Sequence, residues 1–517
     1  MALVNVKGIG QIGLNKDLSN TELPINAWTD SNNIRFLDGY AGQFLGHQEI
    51  IPTPTYQPQH IRSAFASTYR GWVYATATKQ FFCYNSAGTP VHVDITHATP
   101  RSGHANQWTS TLLSGIPVLN AGDGLPPMAW NGAFASKFVD LTNWQSGYSC
   151  KAIRSFKNFL IALNITKSGV AYPYMVKWSH PASPGTLPSS WDQTDATKLA
   201  GELDIADGYD QIVDGMILRD SFMIYKENSI WRMDYIGGNQ IFKLTKVTGK
   251  SGAMNLNCIT EINGNHFVLT NNDIIVHDGV NAQSILDKMT RRWLFTKIDS
   301  NNYSQCFTFA NPFYNEVFIC YPQNGSSYCD KAIVYNYVDK TVSMRDLPSI
   351  THADCGPIDL SGTANNWDSD SATWENDYTF WDQDLFMTAS LRAVMSASNN
   401  KLYVIDQNAS FDGVLPAAYL ERKGLHFGSP EKIKLIKGIR PRIKGNTGDI
   451  VNVYVAATND PNDSPVYGAP MQHTIGTTIA NDCLLAGRYI AIKFETGNGY
   501  GWRLDSFDID VDTQGYW

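Results

Sequence analysis

From about residue 60 to 415 the chain repeats one pattern. A four-to-six-residue apolar stretch is followed by a tight turn, a second apolar stretch, and a polar turn rich in Asp, Asn and Gly. GWVYATATKQFFCYNSAG, MILRDSFMIYKENSIWRMDY, ITEINGNHFVLTNNDIIVHDG and AVMSASNNKLYVIDQN are clear copies. Their period-2 alternation and turn residues predict antiparallel hairpins. KENS, TNND and ASNN offer Asn or Asp where a primed turn needs positive φ. The copies return roughly every 40–60 residues, the spacing of small sheets that bury their faces only by stacking in a ring. This predicts a mainly β chain with a β-propeller-like body. Five to seven blades would fit, and a pair of β-sandwiches is the competing architecture.

Three stretches depart from the pattern. Residues 1–58, rich in Asn, Asp, Gly and Pro, read as an extended arm threading across other structure. Residues 351–384 form an acidic excursion within the body of 59–416. There Trp367-Asp368, Trp374-Glu375 and Trp381-Asp382 recur every seven residues, with Asp370, Asp377 and Asp384 between and after them and no Lys or Arg. The intervening Asn, Asp, Ser and Thr are poor helix formers, so short turns or strands pinned by indoles are expected. Residues 417–517 contain the alternating segments GDIVNVYVAAT, AGRYIAIKFET and GWRLDSFDIDVDT, which predict a C-terminal β-sandwich.

Composition narrows the class. Charged residues are only 17% of the 517, below the usual ~25%, which favours strands and turns over salt-bridged helices. A net charge of −8 argues against a surface that grips nucleic acid everywhere. Eight scattered cysteines without a CxxC pair read as buried thiols, not a disulfide scaffold. The N-terminus lacks the pattern of a signal peptide, and no apolar run reaches the ~18–20 residues of a membrane span. A soluble protein made in a cytoplasm is expected.

The catalytic-looking motifs stand in unsuitable places. NDPN at 459–462 resembles the nucleophile segment of some propeller sugar hydrolases, but it lies between strands of the terminal unit, where a turn wants those residues. GIGQIG at 8–13 fits GxGxxG without the strand and helix that motif needs. DSDSATW at 368–374 lacks the Gly of an Asp box. Asp368, Asp370, Asp382 and Asp384 could meet Ca²⁺ through their oxygens, yet no EF-hand spacing supports it. A glycosidase would need two carboxylates across a cleft. Asp204, Asp214 and Asp234 are the candidates for that alternative, a carbohydrate-active propeller enzyme. A non-catalytic propeller scaffold is a further alternative. No enzyme activity and no cofactor are expected.

One charge feature is sharper. Arg422, Lys423, Lys432, Lys434, Lys437, Arg440, Arg442 and Lys444 face only Glu421 and Glu431 within 421–444. Interleaved with Ile433, Leu435, Ile436 and Ile439, they read as a half-buried strand showing basic residues outward. Such a strip would contact an acidic neighbouring subunit or passing phosphates.

The order of these features resembles a known family. An extended N-terminal arm with NNIRFLDGY opens the chain; IYKENSIWRMDYIGG and KVTGKSGAMNLNCITEINGNHFVLTNNDIIVHDG follow in the body; QSILDKMTRRWL, the Trp-Asp excursion and the closing sandwich come after. This is similar to the tail nozzle (tail hub, or packaged-DNA stabilisation) proteins of short-tailed bacteriophages, most closely over 212–346. The resemblance implies a virion tail protein, assembled in the host bacterial cytoplasm into a six-subunit ring beneath the portal and its adaptor ring. Such a ring would continue the DNA channel, retain the packaged genome, pass it at ejection, and receive tail fibres or spikes. It carries no catalytic residues to transfer. A weakly acidic channel wall fits that role, because it lets DNA slide where a basic wall would bind it.

Overall fold

The computed structural model describes residues 2–51, 53–65, 70–86, 89–238, 240–358, 391–407, 410–499 and 501–516. The chain is mainly β and its body is a propeller. Five four-stranded antiparallel sheets follow one another, with innermost strands His60–Phe65, Thr109–Leu113, Tyr148–Phe156, Ile212–Leu218 and Ile259–Ile262. We number these blades one to five. A seven-stranded sheet then holds two further blades, divided within the long strand Thr341–Pro357. Its first half pairs with Cys329–Asn336 as the outer strand of blade six. Its second half pairs with Leu391–Ala397 as the inner strand of blade seven. The corner falls at Ser349, which takes φ +51°, directly after Pro348.

Packing confirms seven. Each successive pair of blades closes on its own apolar cluster among the described residues. Phe82, Trp108 and Trp130 lie between blades one and two. Ile61, Trp72 and Tyr74 meet Val394, Leu402 and Val404 where blade seven returns to blade one. An α-helix, Lys288–Lys297, links blades five and six and buries Leu294 in their shared cluster.

The N-terminal residues complete both halves of the molecule. Strands β1 (Ala2–Val6), β2 (Asp30–Asn32), β3 (Ile34–Leu37), β4 (Tyr40–Gln43) and β5 (His47–Ile51) all lie within 1–58. β5 pairs with Leu402–Ile405 and becomes the outer strand of blade seven, so a strand from before blade one closes the ring. β1, β3 and β4 enter one sheet of a sandwich with Arg503–Tyr516, Lys432–Lys444 and Asn481–Gly487. β2 enters the other sheet beside Tyr419–Leu425. The stretch expected as an extended arm is therefore strand throughout much of its length. Trp28, Ile34 and Phe36 join Phe494 and Phe507 in the sandwich core, so residues 417–517 supply only part of it.

Residues 351–357 are also strand: they belong to the inner strand of blade seven. The remainder of the acidic excursion, including Trp367, Asp368, Asp370, Trp374, Glu375, Asp377, Trp381, Asp382 and Asp384, lies outside the described residues. Of the three turns expected to use left-handed Asn or Asp, 397–400 does so through Asn400 (φ +65°). Residues 226–229 and 270–273 instead close by backbone pairing, Thr270 N–H to the Asp273 carbonyl at 2.9 Å, with the Thr270 hydroxyl bonding both backbone groups of Asp273. Positive φ at both turn positions appears at Asn263-Gly264, the two-residue connection between Ile259–Ile262 and Asn265–Leu269.

A buried ionic quartet holds sandwich and propeller together. Arg35 of β3 grips Glu316 of blade six through two nitrogens at 2.7 and 3.0 Å and reaches Asp406 at 2.9 Å. Arg345 approaches the same Asp406 at 3.2 Å and donates to the Leu45 carbonyl at 2.9 Å. Asn311 donates to the other Asp406 oxygen at 2.8 Å, and Arg35 lies 3.8 Å from the Tyr314 ring centre. Burial alone would lower Arg35 and raise Asp406; the opposite charges overcome it in both, so the ion pair is kept. Removing one charge would strand the others in a dry site. We expect Arg345→Met to lower unfolding stability by about 3–5 kcal/mol. Lys444→Ala, which removes an exposed pair with Asp505, should cost less than about 1 kcal/mol. Urea denaturation of the full chain measures both.

Candidate functional site

In an ordinary hairpin sheet the strand facing the core is apolar. The innermost strands here carry polar residues instead, because they face the propeller axis rather than a neighbouring blade. His60 and Arg62 stand on blade one, Ser110 and Thr111 on blade two, Arg154 and Ser155 on blade three. Thr260, Thr308 and His352 follow on blades five, six and seven. They line a central cavity of about 470 Å³.

A hydrogen-bonded network crosses the axis beside this cavity. Arg154 clasps Asp214 of blade four through two nitrogens at 2.9 and 2.7 Å. It also donates to the Asn257 side chain at 3.0 Å and to the Ser110 carbonyl at 2.9 Å. Asp214 further accepts the backbone N–H groups of Gly215 and Asn257 at 2.7 and 2.9 Å. The Asn257 amide donates to Asn106, ahead of blade two, and Asn106 donates to the carbonyls of Ser304 and Cys306, ahead of blade six. Both asparagines sit at left-handed φ, +60° and +58°, a conformation Asn tolerates. Five blades therefore meet through one arginine, one aspartate and two asparagines.

This disposes of the carboxylate candidates as a pair. Asp214 has both oxygens occupied by the network. Asp204 is exposed on the outer strand of blade three. Asp234, on the third strand of blade four, is held by Ser221 at 2.5 Å and Arg232 at 2.9 Å. The structure does not bring the three together.

At the seam of blades seven and one the lining is less fully bonded. His60 Nε2 lies 2.8 Å from the Ser110 hydroxyl, and the His60 and His352 rings are 4.0 Å apart. Asp354 accepts the Ser63 N–H at 2.8 Å and stands 3.5 Å from Arg62. Burial, then the Arg62 and Arg154 charges, pushes His352 down to about 3. Burial and the charges of His352, Arg154 and Arg62 also hold His60 well below its ordinary value. Both imidazoles are neutral. No group of three or more His, Cys, Asp or Glu side chains set to hold a metal is found among the described residues.

The basic strip is placed differently from its expectation. Arg422 and Lys434 point inward. Arg422 donates to the carbonyls of Asn20 and Leu23 at 2.7 and 2.8 Å, and burial pushes it down to about 10. Lys434 donates to the Ser429 and Lys432 carbonyls at 2.7 and 2.8 Å; burial, then the Arg488 charge, lowers it to about 8. Lys437, Arg442 and Lys444 pair with Asp512, Asp508 and Asp505 of the adjacent strand Arg503–Tyr516, and Lys423 with Glu421. Lys432 lies 5.3 Å from the Tyr516 ring centre, and Arg440 is exposed. The acids come from a strand far along the sequence, so local charge counting overstated the strip.

No family model and no curated protein matches this chain. A fungal alcohol oxidase of the AA5 family, in complex with copper, is similar in structure with a TM-score of 0.40 at 9% identity, covering 90% of this chain and 92% of that one. Hsv2 of Kluyvelomyces marxianus gives a TM-score of 0.27 at 8% identity, covering 68% of this chain and 72% of its own. Likenesses this distant carry no argument about function. No helix among the described residues is long and apolar enough to cross a membrane.

Sequence reasoning passed over Arg154, Asn257, His60 and His352. Their signal was a polar residue set inside the first strand of each repeat, legible only once the repeats are known to close around an axis. A second buried cluster, Tyr225 bonded to His266 at 2.6 Å and to His277, sits between blades four and five. Burial pushes His266 to about 3 and His277 to about 4. With folded values below the unfolded ~6.5, the native state favours the neutral rings. Their stabilisation is full above pH ~6.5 and is lost as pH falls towards 4 and 3. We expect the unfolding free energy to fall across that window, and His266→Phe to flatten the slope by about 1.4 kcal/mol per pH unit. Denaturation at a series of pH values measures it.

Proposed function

We propose that this chain is a structural virion protein, the subunit of the tail nozzle ring of a short-tailed bacteriophage. In this reading, six copies sit below the portal and adaptor ring, continue the DNA channel, retain the genome and pass it at ejection. The observation that carries the reading is the apolar surface left at one edge of the sandwich. Asn481–Gly487 and Met471–Thr474 are the edge strands of the two sheets. Leu484 is 75% exposed, and the loops leading into these strands expose Ile479 (83%) and Val466 (88%). Open strand edges with apolar side chains are places where another chain adds. The feature order along the sequence supports the same reading.

The geometry also bears on where DNA would run. A cavity of about 470 Å³, bordered by the Arg154–Asp214–Asn257 network, has the size of a small-molecule site. It cannot admit a duplex whose major groove alone is ~12 Å wide. The channel of such a ring would lie between subunits, walled by outer surfaces of the chain. Exposed Arg440, with Lys444 in a weak surface pair with Asp505, could exchange partners with an acidic neighbour or a fibre protein.

Negative-stain imaging of the purified chain, alone and mixed with a portal–adaptor complex, tests the proposal. Six-membered rings seated on the complex are expected, and a chain that stays monomeric beside the complex contradicts it. Leu484→Asp should lower ring yield at least tenfold while leaving the melting temperature unchanged.

A further inference from the structure

One sheet of the sandwich is open at both sides. Asn481–Gly487 pairs only with Lys432–Lys444, and β1 pairs only with Arg503–Tyr516. No further backbone–backbone bond reaches residues 2–6 or 482–487 among the described residues. β3, on the same side as β1, is covered by blade six, where Arg35 meets Glu316. Native sheets blunt open edges with Pro, charge or bulges. ALVNV carries no charge, NDCLLAG carries one, and neither contains Pro.

The two edges are unlike, and they match. Asn481–Gly487 turns Leu484 outward, 75% exposed, with Asp482 and Ala486 on the same face, while Cys483 packs towards the sandwich core. β1 turns Leu3 and Asn5 outward, followed by exposed Lys7, while Val4 and Val6 face the core. Neither Asp482 nor Lys7 has an ion-pair partner among the described residues. β1 runs opposite to Arg503–Tyr516, that strand opposite to Lys432–Lys444, and that one opposite to Asn481–Gly487. Laying Asn481–Gly487 of one copy along β1 of the next therefore continues an antiparallel sheet. With the outward faces aligned, Lys7 comes opposite Asp482, Asn5 opposite Leu484 and Leu3 opposite Ala486. On the inner face Leu485 comes opposite Val4. Val4, Leu23, Ile25 and Phe427 border a cavity of about 360 Å³ there. Arg422 and His426 also line it, but they are turned to the Leu23 and Thr21 carbonyls at 2.8 and 3.0 Å. None of the lining residues belongs to Arg503–Tyr516, so the cavity lies on the free side of β1.

A closed ring of identical subunits needs two different surfaces that fit each other, whereas a two-fold dimer uses one surface twice. We propose that the ring contact is a strand addition, in which Asn481–Gly487 of each copy joins β1 of the next and Leu485 enters the cavity beside Val4. This strand addition rests on the reading of the chain as a ring subunit.

Cysteine cross-linking tests it. Full-length Leu3→Cys/Ala486→Cys, mixed with a portal–adaptor complex or alone, is oxidised with air and copper phenanthroline and run on non-reducing gels. A thiol-reversible ladder reaching six chains is expected, with none from either single substitution. In that background Lys7→Glu should lower the ladder about tenfold, and adding Asp482→Lys should restore it. Rings seated on the complex without a ladder overturn the strand addition and leave the nozzle reading standing. A ladder from a chain that does not seat on the complex supports the strand addition and contradicts the nozzle reading. Neither ring nor ladder overturns both. Linkage to an adaptor chain instead of a second copy, an equal yield from Ala486→Cys alone, or a loss that the reversed charges do not restore also overturns the strand addition.

Discussion

A propeller must be joined to itself, and in this chain the join depends on a buried charge. Arg35 comes from β3 in the sandwich, Glu316 from blade six, Asp406 from the end of blade seven and Arg345 from the strand that passes between those blades. The contact fixes the N-terminal stretch against the last two blades, so that β5 is delivered to the open edge of Leu402–Ile405. Without that delivery blade seven would end on an unpaired edge, and its cluster with blade one would lack a fixed partner. Buried ion pairs add little net stability over apolar packing, but they penalise every arrangement that separates them. Here the penalty falls on any register other than the closed one.

The same logic of satisfied polarity shapes the axis. Seven inner strands converging on one line leave no room for a continuous apolar core. The sequence places Arg154, Asp214, Asn257 and Asn106 there, and each is paired by another. The axis is thereby a rigid strut and a small cavity rather than a passage. Partners of large size must meet the outer surfaces, where the sandwich edge and the residues around Arg440 lie.

Much of the fold was legible from sequence because hairpins are local. Alternation in segments such as ITEINGNHFVLTNNDIIVHDG, with Asn263-Gly264 at its turn, marks two strands and their connection without outside information. What was not legible depends on contacts between distant residues. Nothing local distinguishes β5 from a loop, since its partner lies some three hundred and fifty positions on, at Leu402–Ile405. Nothing near Lys437 or Arg442 announces Asp512 and Asp508. The division of Thr341–Pro357 between two blades is hidden for a related reason: a strand that serves two sheets has one pattern. The candidate site was missed because polar residues in strands look like solvent-facing positions until the ring is closed.

The central claim is that the N-terminal residues close the molecule instead of trailing from it. Hydrogen–deuterium exchange of the free full-length chain measures this directly. The account predicts that amides of β3 and β5 exchange as slowly as those of Leu402–Ile405, and that Arg345→Met accelerates all three together. Rapid exchange across residues 34–51 in the unmodified chain, with Leu402–Ile405 still protected, would contradict it.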